Sequence, residues 1–194
     1  ISFEAQYQII ENLNSVIDDN AKYEDLVDEL TAILRTSQSE ESAALVEFDR
    51  AMALQKKRKN MQAIRHLSYC IRPFEKEECM TELIKTSIMM GISLYEIGLP
   101  YSAEAYLVKA TSLLMNSFFT NGDVPNLLFS VLQKLCEIEL MLGRIVMYLN
   151  WYELLCVVSR NADFAEEEHF KENLRLYDSS WTCRFAAYDL NNPL

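Results

Sequence analysis

Two helix-sized segments of this chain repeat with small residues at matching positions. Ala51 is followed twelve residues later by Ala63, and Gly91 is followed at the same spacing by Ala103. The same 40-residue offset aligns three further pairs: Leu54 with Leu94, Leu67 with Leu107, and Cys70 with Ala110. Self-similarity at a fixed period of this size is typical of stacked helical hairpins. The sequence therefore predicts an all-α fold, an α-α superhelix built as a solenoid of antiparallel hairpins.

Glycine and proline are scarce, with four of each among 194 residues. That scarcity disfavours a β fold with many turns and favours long helices. Half of the residues are hydrophobic, which is enough for one sizeable core. No run of about 18 uncharged apolar residues occurs, so we expect no membrane span. The expectation is one domain of about eight to ten helices.

Apolar spacing and polar breaks divide the chain into three regions. Residues 1–36 are predicted to form an N-terminal helical hairpin or cap, and residues 42–160 the repeat region. Residues 161–194 are predicted to form C-terminal capping helices and a tail. All three regions are expected to belong to one structural domain, because terminal hairpins of a solenoid need their exposed edge covered.

Glycine, proline and polar residues mark the predicted helix ends within the repeat region. Pro73 and Gly143 are predicted to close two helices, and Gly98 to end a third at a tight turn. Thr120 to Pro125 gives the strongest loop signal. The predicted helices run from Ser39 or Ser42 to Lys57, Met61 to Ile71, Glu75 to Ile97, Tyr101 to Ser117, Leu127 to Leu142 and Arg144 to Val158.

Charge restricts the class of partner. The net charge is −11, and a surface of this sign repels a phosphate backbone, so no nucleic-acid partner is expected. Residues 50–66 nevertheless carry six cations and no acid. Cations complement the negative end of a helix, so we interpret this basic run as a solvated helix terminus. The alternative is a docking patch for an acidic partner.

Five cysteines occur, an odd number, without a CxxC pair. Such usage favours free thiols in a reducing, intracellular setting, and we expect a cytoplasmic protein. The chain begins at Ile1 and shows no basic segment followed by an apolar one. We therefore expect a fragment of a longer protein or a processed chain.

The pattern of small and bulky residues resembles the tetratricopeptide repeat (TPR) family, whose unit is a helix-turn-helix of about 34 residues. The residues that carry the resemblance are Ala51, Leu54, Ala63, Leu67 and Cys70 in one unit, and Gly91, Leu94, Ala103, Leu107 and Ala110 in the next. Small residues let two helix backbones approach closely. A third unit would place Cys136 at the first small position but Tyr148 at the second, which predicts wider helix spacing or a shifted register.

The resemblance implies a concave face, lined by the first helices of successive hairpins, that binds a peptide or a partner helix. Carried over position by position, the partner-binding residues would be Phe48, Met52, Gln55, Lys85, Ile88, Ile92, Tyr95, Gln133 and Glu137. This lining is mostly apolar and suits an apolar peptide or an amphipathic helix better than a terminal carboxylate. The alternative is that the chain's own helices cover these side chains.

Signals for catalysis or metal binding are scarce. The two histidines, His66 and His169, are about a hundred residues apart, and no catalytic or phosphate-loop motif occurs. His66 and Cys70 have a spacing that can hold a metal, but two ligands are too few and we assign both to packing. His169 lies in an acidic helix start, and aromatic residues such as Tyr148 are assigned to packing. No cofactor and no metal are expected.

These observations favour a non-enzymatic module that binds a protein or peptide and belongs to a larger protein. The alternative is a regulatory or sensory domain of the same fold that binds a signal peptide or small ligand and changes conformation. A helical enzyme with a dispersed site remains a third class.

Overall fold

A computed structural model of the protein describes residues 8–9, 12, 21–37, 39–121 and 126–161. Seven helices are defined there: α1 Ala21–Ser37, α2 Glu40–Lys56, α3 Asn60–Lys76, α4 Met80–Glu96, α5 Pro100–Asn121, α6 Asn126–Met141 and α7 Ile145–Asn161. No strand occurs within these ranges, in agreement with the predicted all-α class. None of the helices has the length and apolar character that crossing a bilayer requires.

Four consecutive helices begin at intervals of 20 residues. They start at Glu40, Asn60, Met80 and Pro100, and the first three are each 17 residues long. The 40-residue repeat of the sequence is thus two equal halves, each a helix followed by a three-residue connector. The same interval recurs in the core, where the buried side chains include Leu54, Phe74, Leu94 and Leu114.

Each described three-residue connector contains one residue in the left-handed region. These residues are Arg58, Glu78, Gly98 and Gly143, with φ values of 58°, 56°, 84° and 70°. The following residue donates its backbone N–H to the carbonyl five residues earlier, at 2.9 Å in every case. This arrangement satisfies a free carbonyl at the helix end and stops the helix. The pairs are Lys59 to Leu54, Cys79 to Phe74, Leu99 to Leu94 and Arg144 to Glu139.

The predicted helix stops at Gly98 and Gly143 are confirmed, and the predicted stop at Pro73 is wrong. Pro73 lies inside α3, which continues to Lys76. Proline removes one hydrogen bond from the helix, but Phe74 beyond it is fully buried against Phe48 of α2, and this packing holds the last turn. Consequently the next helix begins at Met80, later than the predicted Glu75.

Other predicted boundaries were closer. Ser39 caps α2, and its Oγ accepts a hydrogen bond from the backbone N–H of Ser42 at 3.2 Å, as the capping residues indicated. The helix predicted to end at Ser117 extends to Asn121. Residues 122–125, the core of the predicted loop, lie outside the described residues, as do 17 of the 36 residues of the predicted first hairpin and all of the predicted C-terminal cap except residue 161.

From α1 to α6, neighbouring helices in the sequence are neighbours in space. The most extensive contacts join α2 with α3 and α4 with α5, which form two antiparallel hairpins, and α3 packs on α4 between them. Helix α2 also contacts α4, so the first helices of successive hairpins lie side by side. Helix α1 packs on α2, and α5 packs on α6. The chain divides into compact units Ile1–Val158 and Ser159–Leu194, and the sites described below lie in the first.

The small residues of the repeat lie where two helices approach most closely. Ala51, Ala63 and Ala103 are fully buried. A Cβ atom added to Gly91 would lie 2.6 Å from Cγ of Leu107 and 3.2 Å from the carbonyl oxygen of Ala103. The expectation that small residues permit tight packing is thereby confirmed at the α4–α5 crossing.

We expect Gly91→Ala to destabilise the fold by about 1–2 kcal/mol, because the clash with Leu107 outweighs the better helix propensity of alanine. Urea unfolding measures the change. In a Leu107→Ala background the same substitution should destabilise less, since the clashing side chain is gone. An equal loss in both backgrounds would contradict the close approach.

Gly98→Ala tests the connector separately, because nothing lies within 4 Å of the added Cβ and only the positive φ opposes it. We expect a loss of about 1 kcal/mol, and the reciprocal change Glu78→Gly should gain up to about 1 kcal/mol. Thermal unfolding of the two variants gives the comparison. Changes of the same sign at both positions would contradict this account.

Candidate functional site

A cavity of about 250 Å³ opens between α4 and α6. Helix α4 contributes Ile88 and Ile92, one turn apart on the same face, and α5 contributes Leu107. The lining residues of α6 are spaced at i, i+3 and i+4, so they lie on one face of the helix. The α6 residues that line the cavity are Ser130, Val131, Gln133, Lys134 and Glu137. The cavity therefore has apolar walls on α4 and a mixed polar and apolar wall on α6.

Charged and aromatic groups border this cavity. Lys134 and Glu137 of α6 form an ion pair. The Lys134 ammonium also lies 4.8 Å from the ring centroid of Tyr95 on α4. This cation–π contact connects the two helices beside the cavity and leaves the Tyr95 ring half-buried. The site thus combines an apolar centre with a polar edge, as small binding sites in proteins do.

A second feature is a charged cluster that joins α1 to α2 and α3. Buried Arg50 donates to Oδ1 of Asp28 at 2.7 Å. Lys59 binds the carboxylate of buried Glu24, which also has Lys57 at 3.7 Å. The hydrogen bond from Lys59 lowers the pKa of Glu24. The acidic side chains of α1 therefore form ion pairs with the cations of α2 and of the connector between α2 and α3.

For three of the six cations, this cluster corrects the interpretation of the basic run as a solvated helix terminus. Arg50 is almost completely buried, and Lys57 and Lys59 are ion-paired with α1. The pairs span 22 to 35 residues of sequence. The acidic partner of these three cations is α1 of the same chain, whereas Lys56, Arg58 and Arg65 are exposed.

His66 and Cys70 contact different residues. Nδ1 of His66 lies 2.5 Å from Oε2 of buried Glu47, and its Nε2 lies 3.7 Å from Oδ1 of Asp28. The thiol of Cys70 donates to the carbonyl of Ala44 at 3.3 Å, and burial raises the pKa of this thiol. No set of three His, Cys, Asp or Glu side chains in the described part of the chain is arranged to hold a metal. His169 lies outside the described residues.

A third charged group forms around Glu139, which is completely buried in α6. Arg144 binds both oxygens of this carboxylate, at 2.7 and 2.9 Å, and also lies 2.5 Å from Glu104 of α5. The hydrogen bonds to Glu139 and then Glu104 raise the pKa of Arg144 above its ordinary value. The arginine follows the left-handed Gly143, so the connector places it between α5 and α6.

Comparison with known structures identifies the architecture. A crystal structure described as kinesin light chain nearly identical TPR-like repeats, from Podosopora anserina, aligns with 97% of this chain and 92% of its own. The TM-score is 0.70 and the sequence identity 12%, so the likeness concerns the fold alone. The chain has a TPR-like helical-repeat fold. No protein-family model matches the sequence. No curated protein matches it either.

In this TPR-like fold, the first helices of the hairpins are α2, α4 and α6. The nine predicted partner-binding residues fall into separate groups on these helices. Ile88, Ile92, Gln133 and Glu137 line the cavity between α4 and α6. Tyr95 contacts its edge through Lys134. The partner-binding role of all nine residues stays a prediction.

The remaining four predicted residues lie elsewhere. Phe48 is buried and packs edge-on against Phe74, with ring centroids 6.3 Å apart. Gln55 donates to the Met89 carbonyl and the Ser93 hydroxyl of α4, both at 3.1 Å. Met52 and Lys85 are exposed. Phe48 and Gln55 thus already contact neighbouring helices of the same chain.

Four cavity residues were missing from the predicted set: Leu107, Ser130, Val131 and Lys134. The helical spacing around Gln133 and Glu137 includes Ser130 and Lys134, so periodicity could have found these two. Leu107 was assigned to packing, and one side of the same residue forms the cavity wall. Tyr148, at the expected small position of the third TPR-like unit, is fully buried and stacks on Tyr152 at 5.7 Å.

Arg144→Leu should destabilise this TPR-like fold by about 2–4 kcal/mol, because it leaves the buried Glu139 carboxylate without its bidentate partner. The control is Lys76→Leu, which removes the exposed ion pair with Glu40 and should change stability by less than about 1 kcal/mol. Urea unfolding of both variants gives the comparison. Similar losses would mean that Arg144 contributes only as a surface charge.

Proposed function

We propose that this chain is a non-enzymatic protein-interaction module that holds a peptide or a partner helix against α4 and α6. The observation that carries the proposal is the apolar cavity where Ile88 and Ile92 meet Val131. TPR-like helical repeats are extended scaffolds whose concave surfaces bind other proteins. The net charge of −11 favours a protein partner over nucleic acid.

The dimensions of the cavity suit one bulky apolar side chain of a partner. Ile88 and Ile92 lie on one edge of α4 and Val131 faces them from α6, so an inserted side chain would be surrounded by aliphatic groups. Burial of one large apolar side chain is worth about 1.5–3 kcal/mol. An anchor of this kind, inserted in a desolvated pocket, is the usual centre of an interface.

The edge of the cavity supplies polar partners for the rest of a bound segment. The polar residues Gln133 and Ser130 lie beside Val131, and the Lys134–Glu137 pair lies on the next turn. A polar rim around an apolar centre is the ordinary arrangement of protein interfaces. Lys85 and Met52 are exposed on the same set of first helices and would extend the docking surface, whereas Phe48 and Gln55 already contact their own neighbours.

The test is a selection of binding peptides from a random display library on the intact chain, followed by titration with the parent and two variants. Selected peptides should share a bulky apolar residue. Ile92→Asp should weaken their binding about tenfold or more, since an anchor worth about 1.4 kcal/mol or more is lost. Met61→Asp is the matched control, because Met61 is a highly exposed residue of α3 away from the cavity, and binding should be unchanged.

Thermal unfolding of both variants establishes that they remain folded. Binding that survives Ile92→Asp in a folded chain would move the docking surface away from α4 and α6. Equal losses in the Ile92 and Met61 variants would show that the peptides recognise a general apolar surface. An empty selection would count against peptide binding altogether.

The same peptides separate a scaffold from a conformational sensor. A scaffold keeps its shape when occupied, as most preorganised interfaces do. A sensor of the same fold changes the curvature of its stacked hairpins. Small-angle scattering at saturating peptide therefore gives an unchanged profile for the first function and a shifted one for the second.

A further inference from the structure

A second cavity, of about 420 Å³, lies between α1, α2 and α3 and has no lining residue in common with the first. Its volume falls in the range of small-molecule sites. Arg35 of α1 and Arg72 of α3 line it together with Tyr69, and Ala43, Ala44 and Pro73 form apolar walls. Two arginines in one cavity of a strongly acidic chain require an explanation.

The acids in this cavity already have partners. Glu47 is almost fully buried, and its two oxygens face Arg35 at 3.5 Å and His66 at 2.5 Å. Glu40 binds Lys76 at 2.7 Å. The cavity lining itself carries two cations, Arg35 and Arg72, and two carboxylates, Glu40 and Glu47, and Lys76 also pairs with Glu77 at 3.8 Å. A lining whose charges balance tolerates one added negative charge better than the two of a dianion such as phosphate.

The guanidinium groups of Arg35 and Arg72 differ in the contacts that they make within the chain. Arg35 lies over the Tyr69 ring, 4.3 Å from its centroid, and directs one nitrogen to Glu47. Arg72 is exposed and forms no ion pair with any described residue. A guanidinium has five N–H donors in a planar fork that matches a carboxylate. Stacking of Arg35 on Tyr69 fixes the plane of one fork, and Arg72 supplies a second fork that no described ion pair occupies.

We propose that this cavity binds a small organic carboxylate, with the carboxylate held by Arg72 and Arg35 and the apolar body against Ala43, Ala44 and Pro73. The small side chains of α2 leave the space that the ligand would fill. The tyrosine ring and the proline supply apolar contact, and the arginines supply the charge. The site lies apart from the α4–α6 surface and stands whether or not that surface binds peptides.

The probe is sodium benzoate, titrated into the intact chain at constant ionic strength and followed by protein NMR. We expect saturable shifts at cavity residues. Arg72→Gln should weaken binding at least about fivefold, since a charge-assisted pair is removed. Arg65→Gln is the matched control, because it removes the same charge from an exposed position on α3 outside the cavity, and it should change binding less than about twofold.

Three further probes identify the recognised group. Benzyl alcohol should bind at least about fivefold more weakly than benzoate, and so should inorganic phosphate. N-acetylphenylalanine and its amide test whether the carboxylate belongs to a peptide C-terminus. Arg72-dependent binding of the acid alone, without binding of benzoate, would support the carboxylate site and assign it to that source.

The remaining outcomes overturn the proposal. They are no saturable binding of either carboxylate, equal binding of benzyl alcohol, tighter binding of phosphate, and equal weakening by Arg65→Gln and Arg72→Gln. Arg72 is exposed, so its replacement leaves the core intact, and thermal unfolding verifies this.

Discussion

The left-handed residue in each three-residue connector is the constraint on which the rest of the fold depends. It ends one helix by bonding the next N–H to the carbonyl five residues earlier, and it does so at the same place in four connectors. Between Glu40 and Pro100 this holds every helix to the same length. Equivalent positions then lie at equivalent places in the stack of helices, and small residues such as Gly91 fall where the helices cross. Arg58 and Glu78 adopt this conformation without being glycine, so core packing on either side of the connector must offset their strain.

Where the repeat pattern is absent, ion pairs between charged side chains fix the positions of the helices. Helix α1 has no small-residue pair like Ala51 and Ala63, and it is fixed to the first hairpin by Glu24 and Asp28 against buried or half-buried cations. Buried ion pairs add little net stability but penalise any arrangement that leaves a charge unpaired. The α1 cluster therefore specifies the position of this helix. Arg144, bound to Glu139 and Glu104, has the same effect between α5 and α6.

Local patterns in the sequence predicted those features that depend on local residues. Helical class, the small positions and the stops at Gly98 and Gly143 follow from spacing and from backbone preferences of glycine. Glu78 gives no such signal, because a left-handed glutamate looks like any polar residue, and Pro73 was therefore mistaken for the helix end. The role of Lys59 was equally hidden, since its partner lies 35 residues away.

The residues of the candidate site show the same limit of sequence-based prediction. Spacing placed Phe48 and Gln55 on the same face as Ile88 and Ile92, but it could not show what the neighbouring helix presents. Between α2 and α4 that neighbour accepts hydrogen bonds from Gln55, and Phe48 packs against α3. Between α4 and α6 the neighbour presents Val131, and a cavity remains. Equivalent positions of this repeat thus differ in what the neighbouring helix places against them, and the docking surface proposed above uses the second interval, where the cavity remains.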